Sequence, residues 1–335
     1  MRKTVHLCLS SHDEIMFRSE ADLNMGFNCL AVAVLETESR LMGEGLMTTH
    51  YHCLLQTDRY REMMHRTRYA YARYFNTKYC RRGRLGKKEY FMLEIKGLHH
   101  TVAALNYVLR QGIHHGLAKT PFDYPHGSAN SIFRNELGKS QCPSLMPAKN
   151  RHRYLPANVR VPEKYRMSDK GILLREDIVD TAYVEEIYIS PRNFLFQMNK
   201  IAGEEENSQQ RIENDSPPIT LELIENGVSD FSIQKAKVFE QGRVDYGRMT
   251  DLELCAIIDN NLLPRYFNGL QERSVYLLPE SKRAEMGQML WNEFRQSRWH
   301  MAGRSDGSRQ KNTSKGFLSG RAITEQQLRR CLALP

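Results

Sequence analysis

The sequence predicts an α+β protein: a ferredoxin-like sheet of the split βαβ type, followed by a mainly helical C-terminal region. In the first 120 residues the apolar pattern changes between the period of a strand and that of a helix, in the order β-α-β-β-α-β-α. From about 122 to 167 it gives way to Pro, Ser, Asn and basic residues, and helical periodicity returns from about 173. We therefore expect a first domain over 1–135, a basic linker or arm over 136–170 and a helical accessory domain over 171–335.

The first strand and the first helix have clear local signals. Residues 4–9 have the pattern of a strand, and Ser19 followed by Asp22 has the chemistry of a capping box. Apolar residues then recur with the spacing of one helix face, so a helix is predicted to begin at this cap. The residues of that face are Leu23, Phe27, Leu30 and Val34.

Five further elements complete the predicted first domain. Strands are expected over 41–47 and 50–57, joined by a short connection. A second helix over 59–77 gathers methionine and aromatic residues on one face. A fourth strand over 89–95 then precedes a third helix over 98–111.

Helix signals return in the second half of the chain. Ser190 and Pro191 suit the N-cap and the first position of a helix. Polar residues over 203–218 indicate an exposed loop, and a stretch rich in Gly, Ser and Arg over 302–320 precedes a short terminal helix. Helices are expected near 250–259, 281–296 and 324–332.

Composition narrows the class of protein. With 41% hydrophobic residues, 26% charged residues and 12 prolines in 335, the chain is globular and neither collagenous nor disordered as a whole. No apolar run approaches the roughly 18 residues of a membrane span, and charge comes too early for a signal peptide, so we expect a soluble cytoplasmic protein without a membrane partner. The 7 cysteines contain no CxxC pair and are expected to be reduced thiols.

Basic residues are concentrated in one segment. The chain has 48 Lys and Arg against 39 Asp and Glu, and from Arg59 to Lys88 there are 11 basic residues against one acid, Glu62. A solvated helix face normally interleaves acids for i,i+4 pairing, and these are nearly absent here. The segment therefore favours contact with nucleic-acid phosphates. The cluster expected to hold a DNA strand consists of Arg81, Arg82, Arg84, Lys87 and Lys88.

The sharpest motif is a pair of histidines in the third predicted strand. Because side chains of a strand alternate, His50 and His52 project from one face, and Tyr51 and Cys53 from the other. Two imidazoles placed in this way can share one divalent cation. Taken alone, such a pair is more often two surface histidines, so its interpretation depends on the rest of the sequence.

The third helix adds a second motif. On a helical wheel, Tyr107, Arg110 and Gln111 lie off the apolar stripe. The spacing of Tyr107 to Gln111 is what a phenol nucleophile and an adjacent metal ligand on one helix face would need. The alternative is an amphipathic helix whose polar face happens to hold a tyrosine. The stripe itself consists of Leu98, Val102, Leu105 and Leu109.

Together these motifs resemble a known family. The sequences LMTTHYHCLL over 46–55, YARYFN over 71–76, LNYV over 105–108 and HGL over 115–117 look like those of single-tyrosine HUH transposases of the insertion-sequence type. The resemblance is strongest to the REP-associated tyrosine transposases (RAYT) and covers about residues 1–135. It implies that the ferredoxin-like sheet is an HUH nuclease core.

The resemblance also implies a role for each motif. His50 and His52 would bind Mg²⁺ or Mn²⁺, Gln111 would be the third ligand, and Tyr107 would be the nucleophile. Attack on single-stranded or hairpin DNA would leave a 5′-phosphotyrosine and a free 3′-OH, and the strand would later be rejoined, as in transposition. Arg110 and the basic cluster would hold the strand.

Two departures from the family pattern bear on these roles. Thr48-Thr49 stands where the family has Pro-Asn before the first histidine, which leaves both histidines in place. Gln111-Gly112 stands where the family has Asn-Pro, although Gly112 can still end the helix. The third ligand is therefore open, with His114 as the reserve candidate.

Other functions also remain open at this stage. A DNA-binding protein descended from such a transposase would lack the chemistry, and an HUH nickase for replication or mobilisation would carry a helicase or primase domain, for which no GxxxxGK[ST] loop is present. The C-terminal region is expected to recognise DNA through exposed Arg329 and Arg330, or else to cover the core or form a dimer contact. We expect a nucleoid-associated monomer or homodimer. The tyrosines that would stack on bases, unless they lie in the core, are Tyr69, Tyr71, Tyr74 and Tyr79.

Overall fold

A computed structural model describes residues 2–11, 14–157, 159–199, 248–267, 273–302, 317–318 and 321–335, with the backbone alone at 297–302. The strands are β1 (Lys3–Ser10), β2 (Arg40–Met47), β3 (His50–Thr57) and β4 (Phe91–Ile95). The first helices are α1 (Glu20–Glu36), α2 (Tyr60–Lys78), α3 (Leu98–Leu109) and α4 (Gln111–His114). The later helices are α5 (Arg175–Ile178), α6 (Thr181–Tyr188), α7 (Pro191–Asn199), α8 (Asp251–Ile257), α9 (Glu280–Ala302) and α10 (Glu325–Cys331).

The four strands form one sheet in the order β2-β3-β1-β4, and every neighbouring pair is antiparallel. His52 of β3 pairs with Cys8 on one side and with Gly45 on the other. The protein is thus α+β with a four-stranded antiparallel sheet. The predicted succession of strands and helices through α3 is confirmed, with ends that differ by at most two residues.

One face of the sheet packs against α1 and α2. The capping box predicted for α1 is present, because the Ser19 hydroxyl accepts from the Asp22 backbone N–H and the Asp22 carboxylate accepts from the Ser19 N–H. Alternate residues of β1 and β3 enter an apolar core with the buried sides of both helices. The strand residues of this core are Val5, Leu7, Leu9, Tyr51, Cys53 and Leu55.

The opposite face packs against α3, and two glycines of β2 permit the close approach. A Cβ atom at Gly45 would lie 3.1 Å from the carbonyl oxygen of Val108, and one at Gly43 would lie 3.2 Å from the Leu109 side chain. A larger residue at either position would push the helix away from the strand. Glycine therefore sets how near α3 lies to the sheet.

The third helix differs from its prediction in two respects. It ends at Leu109 and α4 begins at Gln111, so the single helix predicted over 98–111 is interrupted at Arg110. Leu98, which was expected in the buried stripe, is 56% exposed, whereas Leu105 is fully buried. The face of α3 that packs on the sheet includes some of its polar residues. A helical wheel drawn from the sequence does not show which face packs on the sheet.

The segment over 136–170 lies against α1. The buried Asn28 amide donates to the carbonyl oxygens of Tyr154 and Gly171, both at 2.7 Å, and its oxygen accepts from the N–H of Leu173 at 2.9 Å. These bonds satisfy a polar side chain that has no access to water. The segment is therefore packed on the first domain, and the limits of the three predicted parts stay a prediction.

The C-terminal helices contact the first domain at Arg18 and at the turn between β2 and β3. Arg18, which is buried, donates to the Asp259 carboxylate at 3.1 and 2.6 Å and to the Cys331 carbonyl oxygen at 2.8 Å. Thr48, in the turn between β2 and β3, donates its hydroxyl to the Asp251 carboxylate at 2.8 Å. Paired and hydrogen-bonded buried charges of this kind join the C-terminal helices to the turn that precedes β3.

The terminal helix α10 does not present both of its arginines to solvent. Arg329 is exposed, whereas Arg330 is 8% exposed and donates to the Asp251 carboxylate at 2.9 and 2.7 Å. The expectation of an exposed Arg330 is therefore wrong. Its partner is a carboxylate 79 residues earlier in the chain, which local sequence does not reveal.

The other predicted C-terminal elements have different outcomes. Helices were expected near 250–259, 281–296 and 324–332, and α8, α9 and α10 confirm them. The predicted start of a helix at Pro191 is confirmed by α7. The loop predicted over 203–218 lies outside the described residues, as does most of 302–320. Within the described part of the chain, no helix is both long and apolar enough to cross a membrane.

Candidate active site

Four polar side chains project from the sheet face beneath α3. His6 and Cys8 come from β1, His50 and His52 come from β3, and all four are buried. The rings of His50 and His52 lie on one face as strand alternation predicts, with centroids 5.0 Å apart. Sequence reasoning missed His6 and Cys8. The available signal was the alternation of polar and apolar residues in VHLCLS over 5–10.

Each predicted histidine ligand has a neighbour at its Nδ1 atom. The Nε2 atom of His6 lies 3.1 Å from Nδ1 of His52, and the Thr49 hydroxyl lies 3.1 Å from Nδ1 of His50. The Cys8 Sγ atom is 4.0 Å from Nε2 of His52. Hydrogen bonds at one ring nitrogen orient the imidazole and select which nitrogen carries its proton.

Tyr107 of α3 lies over these histidines. Its ring centroid is 5.0 Å from that of His52 and 5.8 Å from that of His6, and both pairs of rings are close to perpendicular. Tyr107 lies off the apolar stripe of the helical wheel, and it is nevertheless only 5% exposed.

Gln111 is buried one helical turn after Tyr107. Its amide nitrogen donates to the Tyr107 carbonyl oxygen at 3.0 Å, while its Oε1 atom is buried and has no hydrogen-bond partner among the described residues. The side chain lies over Gly45, the residue that pairs with His52, because a Cβ at Gly45 would be 3.3 Å from the Gln111 Cβ and Cγ atoms. A buried amide oxygen without a protein partner suits a cation.

Two further histidines follow in and after α4. The ring centroid of His114 lies 6.5 Å from that of Tyr107, and the ring centroid of His115 lies 5.1 Å from that of His50. His114 is thus on the tyrosine side of the cluster. It stays an alternative to Gln111 as the third ligand.

Burial holds two of the clustered histidines neutral. It lowers the pKa of His6 to about 3, and burial together with the neighbouring His50 and His6 lowers the pKa of His52 well below its usual value. Burial raises the pKa of the Cys8 thiol, which is therefore protonated at neutral pH. A neutral imidazole has the lone pair that a metal ion requires.

A mixed set of nitrogen and oxygen donors is available for a metal ion. Within the described residues, no three His, Cys, Asp or Glu side chains converge in a way that would hold a metal ion. The predicted set of His50, His52 and Gln111 contains an amide, and the unpartnered Oε1 atom of Gln111 is the third donor that this set needs. Imidazole nitrogens and amide oxygens both occur among the ligands of divalent metal ions in proteins.

The basic cluster begins beside the histidine strand. The Lys87 N–H donates to the Ser10 carbonyl oxygen at 2.8 Å, and Ser10 pairs with His50 across β1 and β3. The loop is therefore fixed to the end of β1 nearest the histidines. Four of its side chains are exposed: Arg82, Arg84, Lys87 and Lys88.

Two other basic residues do not face solvent. Arg81 has 13% of its side chain exposed, forms an ion pair with Glu14 at 2.6 Å and donates to the Arg84 carbonyl oxygen at 2.7 Å. Arg110 is 4% exposed. In this structure Arg81 orders the basic loop, and neither guanidinium is presented to DNA.

The wider basic segment has more acidic partners than its own sequence contains. Glu36 pairs with Arg66 at 2.8 Å, and Asp22 pairs with Lys78 at 2.6 Å. The scarcity of acids within 59–88 therefore did not mean that its basic residues lack partners. The cluster of four is exposed and lies in one loop.

The tyrosines of α2 mostly serve the core. The Tyr71 hydroxyl donates to the Met16 carbonyl oxygen at 2.7 Å, and the Tyr79 hydroxyl donates to Asp22 at 2.7 Å, with both rings buried. The core alternative is thus correct for these two. Tyr69 is exposed and stays a candidate for base stacking.

The comparisons with known proteins are sparse. No protein-family model and no curated protein matches the chain. Among solved structures, the chain is similar to a REP-associated tyrosine transposase bound to a REP hairpin, with 14% identity over 42% of this chain and 82% of that chain, and a TM-score of 0.32. A likeness of this extent assigns neither a fold nor an activity to this chain.

Proposed function

We propose that this protein is a metal-dependent DNA strand transferase that nicks single-stranded DNA through a 5′-phosphotyrosine and rejoins it. The observation that carries the proposal is the placement of Tyr107 over His52 at a ring distance of 5.0 Å, with the unpartnered Gln111 oxygen one turn later. A phenol, imidazoles and a buried oxygen donor together match the parts of tyrosine-based phosphoryl transfer. The sequence resemblance to REP-associated tyrosine transposases points to the same chemistry.

The fold fits this proposal as a ferredoxin-like HUH nuclease core. In a split βαβ arrangement, the two strands of each βαβ unit are separated by a strand from the other unit. The order β2-β3-β1-β4 has this property, since β3 lies between β1 and β2, and β1 lies between β3 and β4. The sheet order therefore supports the assignment.

We assign the metal to His50, His52 and Gln111. A bound Mg²⁺ or Mn²⁺ would polarise the scissile phosphodiester and offset its charge. The fit depends on the unpartnered Oε1 atom of Gln111 and on the two imidazoles that share one strand face.

The chemical steps belong to Tyr107. Its Oη atom bonds to phosphorus as the bond from phosphorus to the 3′ oxygen breaks, and the 3′ oxygen takes up the proton that the phenol loses. In the reverse direction a 3′-OH attacks the phosphotyrosine, and Tyr107 recovers its proton. The energy of the phosphodiester is kept in the covalent bond, so rejoining needs no nucleotide.

The exposed basic residues Arg82, Arg84, Lys87 and Lys88 would bind the strand that enters this site. Their loop is fixed to Ser10, which pairs with His50, so a strand held there lies beside the histidine face. The expected partner is single-stranded or hairpin DNA. Nucleoid association and a monomeric or homodimeric state belong to the same proposal.

A second candidate is a DNA-binding descendant that has lost the chemistry. The burial of Tyr107 favours it, because only 5% of this residue is exposed and a nucleophile must meet a DNA phosphate. The two candidates differ in one product, the covalent protein–DNA adduct.

The test is incubation of the full chain with 5′- and 3′-labelled single-stranded hairpin DNA in Mn²⁺, Mg²⁺ or EDTA. The proposal predicts a metal-dependent adduct that keeps the label on the 3′ side of the nick and resists denaturant. Tyr107→Phe is expected to abolish the adduct and to leave DNA affinity nearly unchanged, because only a hydroxyl is removed. Tight DNA binding without any adduct in either metal would favour the second candidate.

A further inference from the structure

We propose that His6 is a positioning residue for His52: it accepts a hydrogen bond from the Nδ1–H of His52, and so holds His52 in the tautomer that offers Nε2 to a cation. The direction of this hydrogen bond and its consequence for metal binding rest on the proposed function, whereas the contact itself does not. His6 belongs to β1 and lies outside every motif that the sequence singled out. Its closest polar contact is the 3.1 Å approach of its Nε2 atom to Nδ1 of His52.

The geometry of the pair is that of a direct hydrogen bond. The two rings are within 8° of parallel, and their centroids are 5.3 Å apart. The centroids are farthest apart when both nitrogens lie on the line that joins them, and their distance is then 3.1 Å plus the radius of each ring. The observed separation is close to this maximum, so the two nitrogens lie almost on that line. The rings therefore meet edge to edge in nearly one plane, with the nitrogens pointing at each other.

This arrangement excludes a cation shared by these two nitrogens. Imidazole binds a metal along its lone pair at roughly 2.0–2.1 Å. Nitrogens that face each other at 3.1 Å leave no position at that distance along both lone pairs. His6 therefore acts on the site through His52 and is not a ligand beside it.

One direction of the hydrogen bond leaves His52 able to bind a metal. If His6 donates, the neutral His52 carries its proton on Nε2, and its Nδ1 lone pair is used by His6. If His52 donates from Nδ1, its Nε2 atom carries no proton, and the Cys8 Sγ atom lies 4.0 Å from it. Metal-binding histidines generally donate their second N–H in this way to a fixed acceptor. Both rings are fully buried, so water does not compete for the bond.

The hydrogen bond can be observed in the full chain without metal. In ¹⁵N-imidazole NMR, His52 is expected to show a protonated Nδ1 and an unprotonated Nε2, with its resonances assigned from the His52→Gln variant. His6→Phe keeps a buried ring but removes the acceptor, and it is expected to remove this tautomer preference. A His52 that is protonated at Nε2 in the wild-type chain would overturn the proposal, whatever the chain does to DNA.

The consequence for metal binding is measured by Mn²⁺ titration followed by electron paramagnetic resonance. We expect His6→Phe to raise the Kd for Mn²⁺ about 10- to 100-fold, as loss of an outer-shell partner does elsewhere. His6→Gln keeps an acceptor at the position of Nε2 and is expected to recover most of the affinity. His126→Phe, at a buried histidine outside the cluster beneath Tyr107, is the control and should leave the Kd unchanged.

The outcomes separate this inference from the proposed function. Equal Mn²⁺ affinity in the wild type, His6→Phe and His6→Gln would overturn the positioning role while leaving the nuclease proposal intact. A wild-type chain that forms no adduct would overturn the nuclease proposal, and the tautomer of His52 would still decide the role of His6.

Discussion

The two faces of the sheet are built from the same strands and serve different ends. Toward α1 and α2, the odd-numbered residues of β1 and β3 form a packed apolar core. Toward α3, the even-numbered residues are His6, Cys8, His50 and His52, and the rings of His6 and His52 contact that of Tyr107. Both faces are buried, so burial alone does not separate a core from a site.

The two faces differ in the side chains that the strands bring to them. Toward α1 and α2 these side chains are mainly apolar, and packing is all that they need. Toward α3 the strands bring imidazoles, and His6 Nδ1 and Gln111 Oε1 are buried without a hydrogen-bond partner among the described residues. Buried polar atoms without a partner cost stability, which makes this face the candidate for a functional site.

The largest expected effect comes from removing the histidine ligands. His50→Ala and His52→Ala are each expected to reduce metal-dependent nicking to background, because the two imidazoles are the nitrogen donors of the proposed set. Both rings are buried, so each alanine also leaves a cavity, and nicking is therefore compared per folded molecule. Full nicking by the double variant in the presence of a chelator would show that this face does not hold the metal.

The matched change on the other face should lower stability and leave the activity of each folded molecule unchanged. Leu7→Ala removes a fully buried side chain next to the histidine positions in sequence, and it should lower the free energy of unfolding by about 2–5 kcal/mol. Urea denaturation measures this loss. The fraction that stays folded should form the adduct at the wild-type rate, and a loss of adduct beyond the loss of folded protein would mean that the two faces are not separable.

Acid should destabilise the protein through its buried histidines. Burial lowers the pKa of His6 and of His126 to about 3, below the value of about 6.5 expected in the unfolded chain. The unfolded state thus binds more protons, and stability falls as pH drops from about 6.5 toward 3, by about 1.4 kcal/mol per pH unit for each histidine. His6→Phe should reduce this slope by the contribution of one histidine, about 1.4 kcal/mol per pH unit. Leu7→Val, on the apolar face, should leave the slope unchanged.

The smallest expected effect is on the DNA affinity that the basic loop contributes. Lys87→Gln with Lys88→Gln should weaken single-stranded DNA binding and make its salt dependence shallower, by about 0.7 in log–log slope for each phosphate that the loop no longer neutralises. Lys3→Gln with Lys282→Gln removes the same charge from exposed sites elsewhere and is the control. Equal slopes for the two double variants would mean that the loop has no special part in binding DNA.

Sequence reasoning succeeded where the information is local. The period of THYHCLL places His50 and His52 on one face of their strand, and the capping box at Ser19 marks where α1 begins. Secondary structure and the grouping of His50 with His52 both follow from such short-range patterns.

Sequence reasoning failed where the partner of a side chain lies far along the chain. Arg330 is buried against Asp251, and Arg81 is paired with Glu14, across separations of 79 and 67 residues. A wheel placed Tyr107 off the apolar stripe, but it shows only which side of a helix is polar and not what packs against that side. His6 differs, because the alternation in VHLCLS placed it on a face, whereas its contact with His52 lies 46 residues along the chain.

The most direct measurement of the central claim is mass spectrometry of the protein–DNA adduct. The chain has 16 tyrosines, and among those in the described residues Tyr107 is the one whose ring lies over that of His52, one turn before Gln111. After nuclease and protease digestion, the nucleotide should be found on the peptide that contains Tyr107, and it should disappear in Tyr107→Phe. A nucleotide on Tyr69, Tyr71 or any other tyrosine, or one that persists in Tyr107→Phe, would contradict the assignment of this site.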